Sequence, residues 1–102
     1  MKVKKEEMVK RVNSILINET DNVATAIVEL QRGDIGLYSI NGKEIEVPIT
    51  EHIPPFHKFA IRNIGKAQTV RKYGEAIGQA ILDIEKGSHI HDHNIVSPET
   101  GK

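Results

Sequence analysis

Three histidines stand at alternate positions near the C-terminus, within the run Gly87-Ser88-His89-Ile90-His91-Asp92-His93-Asn94. Strand side chains alternate faces with a period of two, so an extended stretch here would present His89, His91 and His93 on one side. Imidazole is the commonest metal-ligating side chain and is neutral near pH 7. Such a face suits Fe2+, Mn2+ or Zn2+. The interleaved Ile90, Asn94 and Ile95 set the run apart from a histidine tag. A His-x-His spacing alone is also what a solvated strand edge can carry.

A second chemical position lies thirty residues upstream. His57 follows the stiff loop Ile53-Pro54-Pro55-Phe56, and Lys58 follows His57. A rigid loop running into a strand can hold a general acid or base at a fixed place. Lys58 could pair a carboxylate as a point charge, or simply be an exposed strand residue. Glu75, beside Tyr73-Gly74, could act as a base or a ligand, although carboxylates at turns are commonly solvated. Asn22 could help bind an anion at a helix start, or only cap that helix. Other chemistries are excluded. There is no cysteine, hence no thiolate nucleophile and no disulfide. No phosphate-binding Gly-Lys-Ser/Thr loop and no Gly-x-Ser-x-Gly elbow occur.

The elements that must position these residues read mostly as strands. Val12 to Ile17 is apolar and β-branched. Lys4 to Arg11 ahead of it reads as either a helical turn or a strand extension. Val23, Ala26, Ile27 and Leu30 recur at helical spacing, with Asp21 or Asn22 as N-cap and Gly33 as a left-handed stop, which predicts one short helix near residues 22–32. Asn41-Gly42 between alternating segments predicts a hairpin, because both central positions of such a turn need positive φ. Further strands are expected at 57–61, 70–73, 76–82 and 89–95. Pro54-Pro55 cannot join a sheet ladder. No internal repeat is evident. The expected architecture is mainly β, a small barrel or clip.

The chain of 102 residues allows one domain. With 4% aromatics and no Trp, its core must come from Ile, Val, Leu and Ala. Fourteen basic and fourteen acidic side chains give a formal net charge of zero, which argues against a nucleic-acid binder. The basic residues Lys2, Lys4, Lys5, Lys10 and Arg11 crowd the N-terminus and read as a solvated end. No apolar run approaches the ~20 residues of a membrane span, and no secretory signal is seen. A cytoplasmic protein without membrane contact is expected.

Four segments occur in one order: Asp21-Asn22-Val23-Ala24, then His57-Lys58, then Lys72-Tyr73-Gly74-Glu75-Ala76-Ile77-Gly78, then His91-Asp92-His93-Asn94. Together they resemble the SAF domain of altronate and galactarate dehydratases and the small subunit of the related sulfolactate sulfo-lyase. The resemblance covers about residues 12–96, leaving an N-terminal extension at 1–11 and a tail at 97–102. It implies a β-clip fold and a divalent-metal-dependent hydro-lyase, with Fe2+ as the first choice and Mn2+ as the second. The metal would be shared with a separate large catalytic subunit, and the substrate would be a sugar acid. Self-association into a homo-oligomer is left open. Carried over, the metal residues are His91 and His93, the catalytic residues His57 and Lys58, and the substrate-binding residues Asn22, Glu75 and Asn94. His89 falls outside the motif. Phe56 departs from it, since glycine is usual before this histidine. A sulfo-lyase subunit and a non-catalytic ligand-binding or assembly module are the alternative functions.

Overall fold

The computed structural model describes residues 11–97; the expectations for Lys4 to Lys10 and for the tail beyond residue 97 lie outside them. Nine strands follow one another: β1 Ser14–Ile15, β2 Val23–Ala26, β3 Ile35–Ile40, β4 Lys43–Pro48, β5 Lys58–Ala60, β6 Thr69–Lys72, β7 Glu75–Ala80, β8 His89–Ile90 and β9 Ile95–Val96. The mainly β expectation holds. All strand pairs are antiparallel, in a central sheet β1-β2-β5-β8, a hairpin β3-β4 and a sheet β6-β7-β9.

The inner strand β2 is buried on both faces, and this decides how its sequence reads. Ala24 pairs with Phe59 across β2 and β5, and both face a core with Tyr38, Val47, Ile49 and Ile53. Val23 pairs with Ala60 one residue away, and both face a second core with Ile64, Val70, Ala80 and Ile84. The residues that fix β2 and β5 therefore serve two cores by simple alternation.

The helix expected near residues 22–32 is not there; among the described residues no helix occurs. The apolar spacing of Val23, Ala26, Ile27 and Leu30 belongs instead to a strand with both faces covered, followed by a bend and an isolated bridge between Leu30 and Ile53. A doubly buried strand reads as a continuous apolar run, which periodicity alone does not separate from a helix. Asp21, the expected cap, is 1% exposed and accepts instead from the backbone N–H groups of Tyr73 (2.8 Å), Gly74 (2.7 Å) and Asn18 (3.3 Å). The hairpin expectation holds: Asn41 and Gly42 take φ of 51° and 78°.

A turn unit recurs four times, although no repeat is evident in the sequence. An apolar bridge residue (Leu30, Ile53, Ile64, Ile84) enters a four-residue turn, closed by backbone hydrogen bonds Asp34→Gln31, His57→Pro54, Gln68→Gly65 and Ser88→Glu85. The third turn residue takes positive φ each time: Gly33 95°, Phe56 68°, Ala67 77°, Gly87 92°. At Gly87 there is also no room for a side chain, since a Cβ would lie 2.1 Å from the Pro48 carbonyl oxygen. Each unit launches a strand, and two of them deliver His57 to β5 and His89 to β8.

Candidate functional site

The imidazoles meet because of strand register. β5 pairs antiparallel with β8, Lys58 opposite Ile90 and Phe59 opposite His89. Continuing that register by one residue sets His57 against His91, and His89 and His91 share a face as i and i+2 neighbours. The rings obey this. His57 stacks on His91 with centroids 4.8 Å apart and on His89 at 5.0 Å, and His89 lies 5.6 Å from His91. His57 Nδ1 and His89 Nε2 share a hydrogen bond of 2.8 Å. One nitrogen from each of His57, His89 and His91 lies within 4.8 Å of the others.

The stretch 89–95 is not extended throughout. After Ile90 the chain turns, and Asn94 N–H and Ile95 N–H both donate to the His91 carbonyl. Asn94 pins this turn with its side chain. Its Oδ1 accepts from His91 N–H at 3.0 Å and its Nδ2 donates to the His89 carbonyl at 2.8 Å. The amide is buried and both of its ends are occupied, so Asn94 here holds the backbone between two histidines. Because of the turn, His93 reaches the cluster only by a tilted contact with His89, at 5.5 Å. Spacing pairs His91 with His93; the donor atoms that lie together are those of His57, His89 and His91.

Electrostatics disfavour protonation of His57 and His89. Burial and the neighbouring His57, His93 and His91 push His89 down to about 4, only partly offset by Glu51. The Glu51 carboxylate also accepts from His89 N–H at 2.9 Å. Burial, His91, Lys58 and His52 lower His57 as well. At neutral pH these rings therefore carry lone pairs, which is what a metal needs. Imidazole suits Fe2+, Mn2+ and Zn2+, so the donor set fits a divalent transition metal. To bind one, the proton between His57 and His89 would move to a distal ring nitrogen.

The other expected site residues are placed less directly. Lys58 sits on the face of β5 opposite Phe59, and its pKa is lowered by burial and by Lys72, against the pull of Asp92. Asn22 ties β2 to β6: its Nδ2 donates to the Thr69 carbonyl at 2.9 Å and its Oδ1 accepts from Arg71 N–H at 2.8 Å. Glu75 is exposed at the start of β7, opposite Lys72. Beside His93 an open cleft of about 340 Å3 is lined by Glu51, Asp83, Glu85, Ser88 and Asn94. Its acidic wall does not suit an anionic sugar acid. His89 and Glu51 are the site residues that motif reasoning passed over. The signal for His89 was its own spacing from His91; Glu51 had none.

Two outcomes follow. Asn94→Ala leaves a partly buried N–H and C=O unpaired, so folding stability should drop by about 1–2 kcal/mol and metal affinity by about tenfold. Asn94→Asp, which keeps the acceptor for His91 N–H, should lie between; denaturant melts and metal titrations check both. The metal-free chain should also lose stability in mild acid. A depressed folded-state pKa for His89 means that the unfolded chain binds the proton first. Stability is then complete above pH ~6.5 and falls as pH drops toward ~4, by about 1–2 kcal/mol once partial exposure is allowed for. Melts at pH 7.5 and pH 4.5 read this out.

Residues 12–98 match the family described as the altronate/galactarate dehydratase SAF domain. Altronate dehydratase of Escherichia coli (strain K12) is 38% identical over 80 residues, 78% of this chain and 15% of that protein. Galactarate dehydratase (L-threo-forming) of the same organism is 35% identical over 85 residues, 83% of this chain and again 15% of the relative. The (2R)-sulfolactate sulfo-lyase subunit alpha of Chromohalobacter salexigens is 29% identical over 87 residues, 82% of this chain and 93% of that subunit. The chain thus spans about 15% of the length of the curated dehydratases it matches, and nearly all of the sulfo-lyase subunit. Among the described residues no helix is long and apolar enough to cross a membrane.

Proposed function

Because the chain belongs to the SAF-domain family of altronate and galactarate dehydratases, we propose that it is the small subunit of a sugar-acid hydro-lyase, giving histidines to a metal site that a larger polypeptide completes. The observation that carries this reading is the convergence of His57, His89 and His91 donor atoms within a module that is 15% of the related dehydratases. The three imidazoles would hold a divalent metal, Fe2+ first and Mn2+ second. When bound, it would supply Lewis-acid stabilisation of the negative charge that gathers beside the substrate carboxylate.

Dehydration of a 2,3-dihydroxy acid takes the proton from the carbon next to the carboxylate and expels the β-hydroxyl as water. One group must accept the first proton and another must protonate the leaving oxygen. With His57 engaged in the triad, this chain has His93 and Lys58 left for those tasks. His93 is an exposed imidazole outside the set of converging donors, and Lys58 is an ammonium whose pKa is lowered by burial and by Lys72. Three nitrogen donors would leave positions for oxygen ligands, which the larger polypeptide and the substrate would supply.

A sulfo-lyase subunit is the second reading, favoured by the match over 93% of the alpha subunit's own length. The two differ in what leaves, water or sulfite. The deciding experiment mixes the chain with its candidate large polypeptide and supplies altronate, galactarate or sulfolactate, with and without Fe2+ or Mn2+. Product is expected only in the metal-loaded mixture. A tight complex that turns over none of the three would instead make the chain a non-catalytic assembly module.

A further inference from the structure

Of the four equivalent turns, one breaks the rule of its own geometry. The third turn position is glycine at 33 and 87 and alanine at 67, but Phe56 fills it at φ 68°. A left-handed backbone crowds any Cβ, and a bulky residue there is a true outlier. The conformation is not free to relax. Phe56 N–H donates to the Ala26 carbonyl at 2.7 Å, as Gly33, Ala67 and Gly87 donate to Ile49, Ala80 and Ala60. Nor does the ring gain anything from the core, since at 73% it is the most exposed large hydrophobic side chain among the described residues. Two more exposed apolar residues, Ile27 and Val28, directly follow Ala26 in the chain. Strain that the fold does not need points outside the fold.

Phe56 also immediately precedes His57. A body that finishes the imidazole site along this edge would meet Phe56. We propose that Phe56 is the anchor by which the chain docks onto the larger polypeptide that completes the site, its ring entering an apolar pocket there with Ile27 and Val28 on the rim. This rests on the composite-site reading above. The occupant is that polypeptide because the related dehydratases carry this module as 15% of a longer protein, so a much larger body adjoins it there. Interface anchors are commonly large side chains that fill a pocket on the partner, ringed by smaller contacts that exclude water.

The test uses the tagged chain and its Phe56→Gly and Phe56→Ala variants, expressed in the source cells. The large polypeptide that co-purifies is identified by mass and by metal-dependent lyase activity of the mixture, then titrated with each chain. Phe56→Gly relieves the turn, so its melting temperature alone should rise by about 4 °C or more. Phe56→Ala keeps the strained backbone and should melt close to the parent. Both lose the ring, so both should bind the large polypeptide at least tenfold more weakly, with kcat unchanged when the chain is saturating. Equal affinity of all three chains in an active mixture overturns the anchor and leaves the composite site standing. A fall in kcat at equal affinity also overturns it, because the ring would then act on substrate. If the parent chain binds no large polypeptide, the anchor and the composite site fall together.

Discussion

Replacing His89 by alanine is expected to lower the affinity of the chain for a divalent metal by on the order of a hundredfold or more. His89 is central because its Nε2 sits 2.8 Å from His57 Nδ1 while its ring also contacts His91 and His93. Without it the two remaining donors form a single cross-strand pair. The substitution should change a second quantity in the opposite sense. Burial and its imidazole neighbours hold the His89 pKa down to about 4, so the variant should lose less stability than the parent between pH 6.5 and 4. Metal titration at pH 7.5 and paired melts in acid measure both. If affinity is kept and the acid sensitivity is unchanged, His89 is neither ligand nor a base held neutral by its surroundings.

The largest expected loss of stability lies elsewhere, at Asp21. Its carboxylate takes two short bonds from the Tyr73 and Gly74 N–H groups, one on each oxygen, and a longer one from Asn18. The same residue's carbonyl accepts from Arg62 at 3.2 Å. Tyr73 and Gly74 are both left-handed, at φ 57° and 79°, and that turn joins β6 to β7. Asp21→Ala removes two charge-assisted acceptors at once, which should cost about 3–5 kcal/mol. For a domain of this size, that corresponds to a melting temperature lower by roughly 12–25 °C. Asp21→Asn keeps one acceptor oxygen but turns a donor toward the other N–H, so it should fall between. A loss under about 1 kcal/mol for the alanine variant would show that water replaces the carboxylate.

Local chemistry was legible in the sequence, and long-range pairing was not. Asn41-Gly42 announces its hairpin because few residue pairs accept two successive positive φ values. Strands around Lys58, Val70 and Ala76 show through their apolar residues and glycine-bearing turns. The β2 segment misleads because Val23 and Ala24 serve opposite cores, so its apolar residues carry no period of two. The same residue types that cap helices, Asp21 and Asn22, are used here as cross-links from β2 to β6 and the turn after it, fifty residues away. Phe56 shows only as a departure from a motif; its meaning needed the φ that glycine would ordinarily supply.

The candidate site divides in the same way. Alternation of His89 and His91 pointed to a shared face, and register delivered it. What no local pattern contains is the pairing of β5 with β8, which sets His57 opposite His91. Nor does the spacing of His93 reveal the turn stapled by Asn94, which draws it aside. The buried amide of that asparagine reads as a substrate-binding group in a motif and as a backbone clamp in the fold.

The claim that matters most is that these imidazoles form a metal face. Titrating the metal-free chain with Zn2+ at pH 7.5 while following the histidine ring nitrogens by NMR addresses it directly. One equivalent should shift His57, His89 and His91 together, with His52 unmoved. Shifts confined to His52 or to the acidic cleft, or no saturable change below millimolar metal, would contradict it.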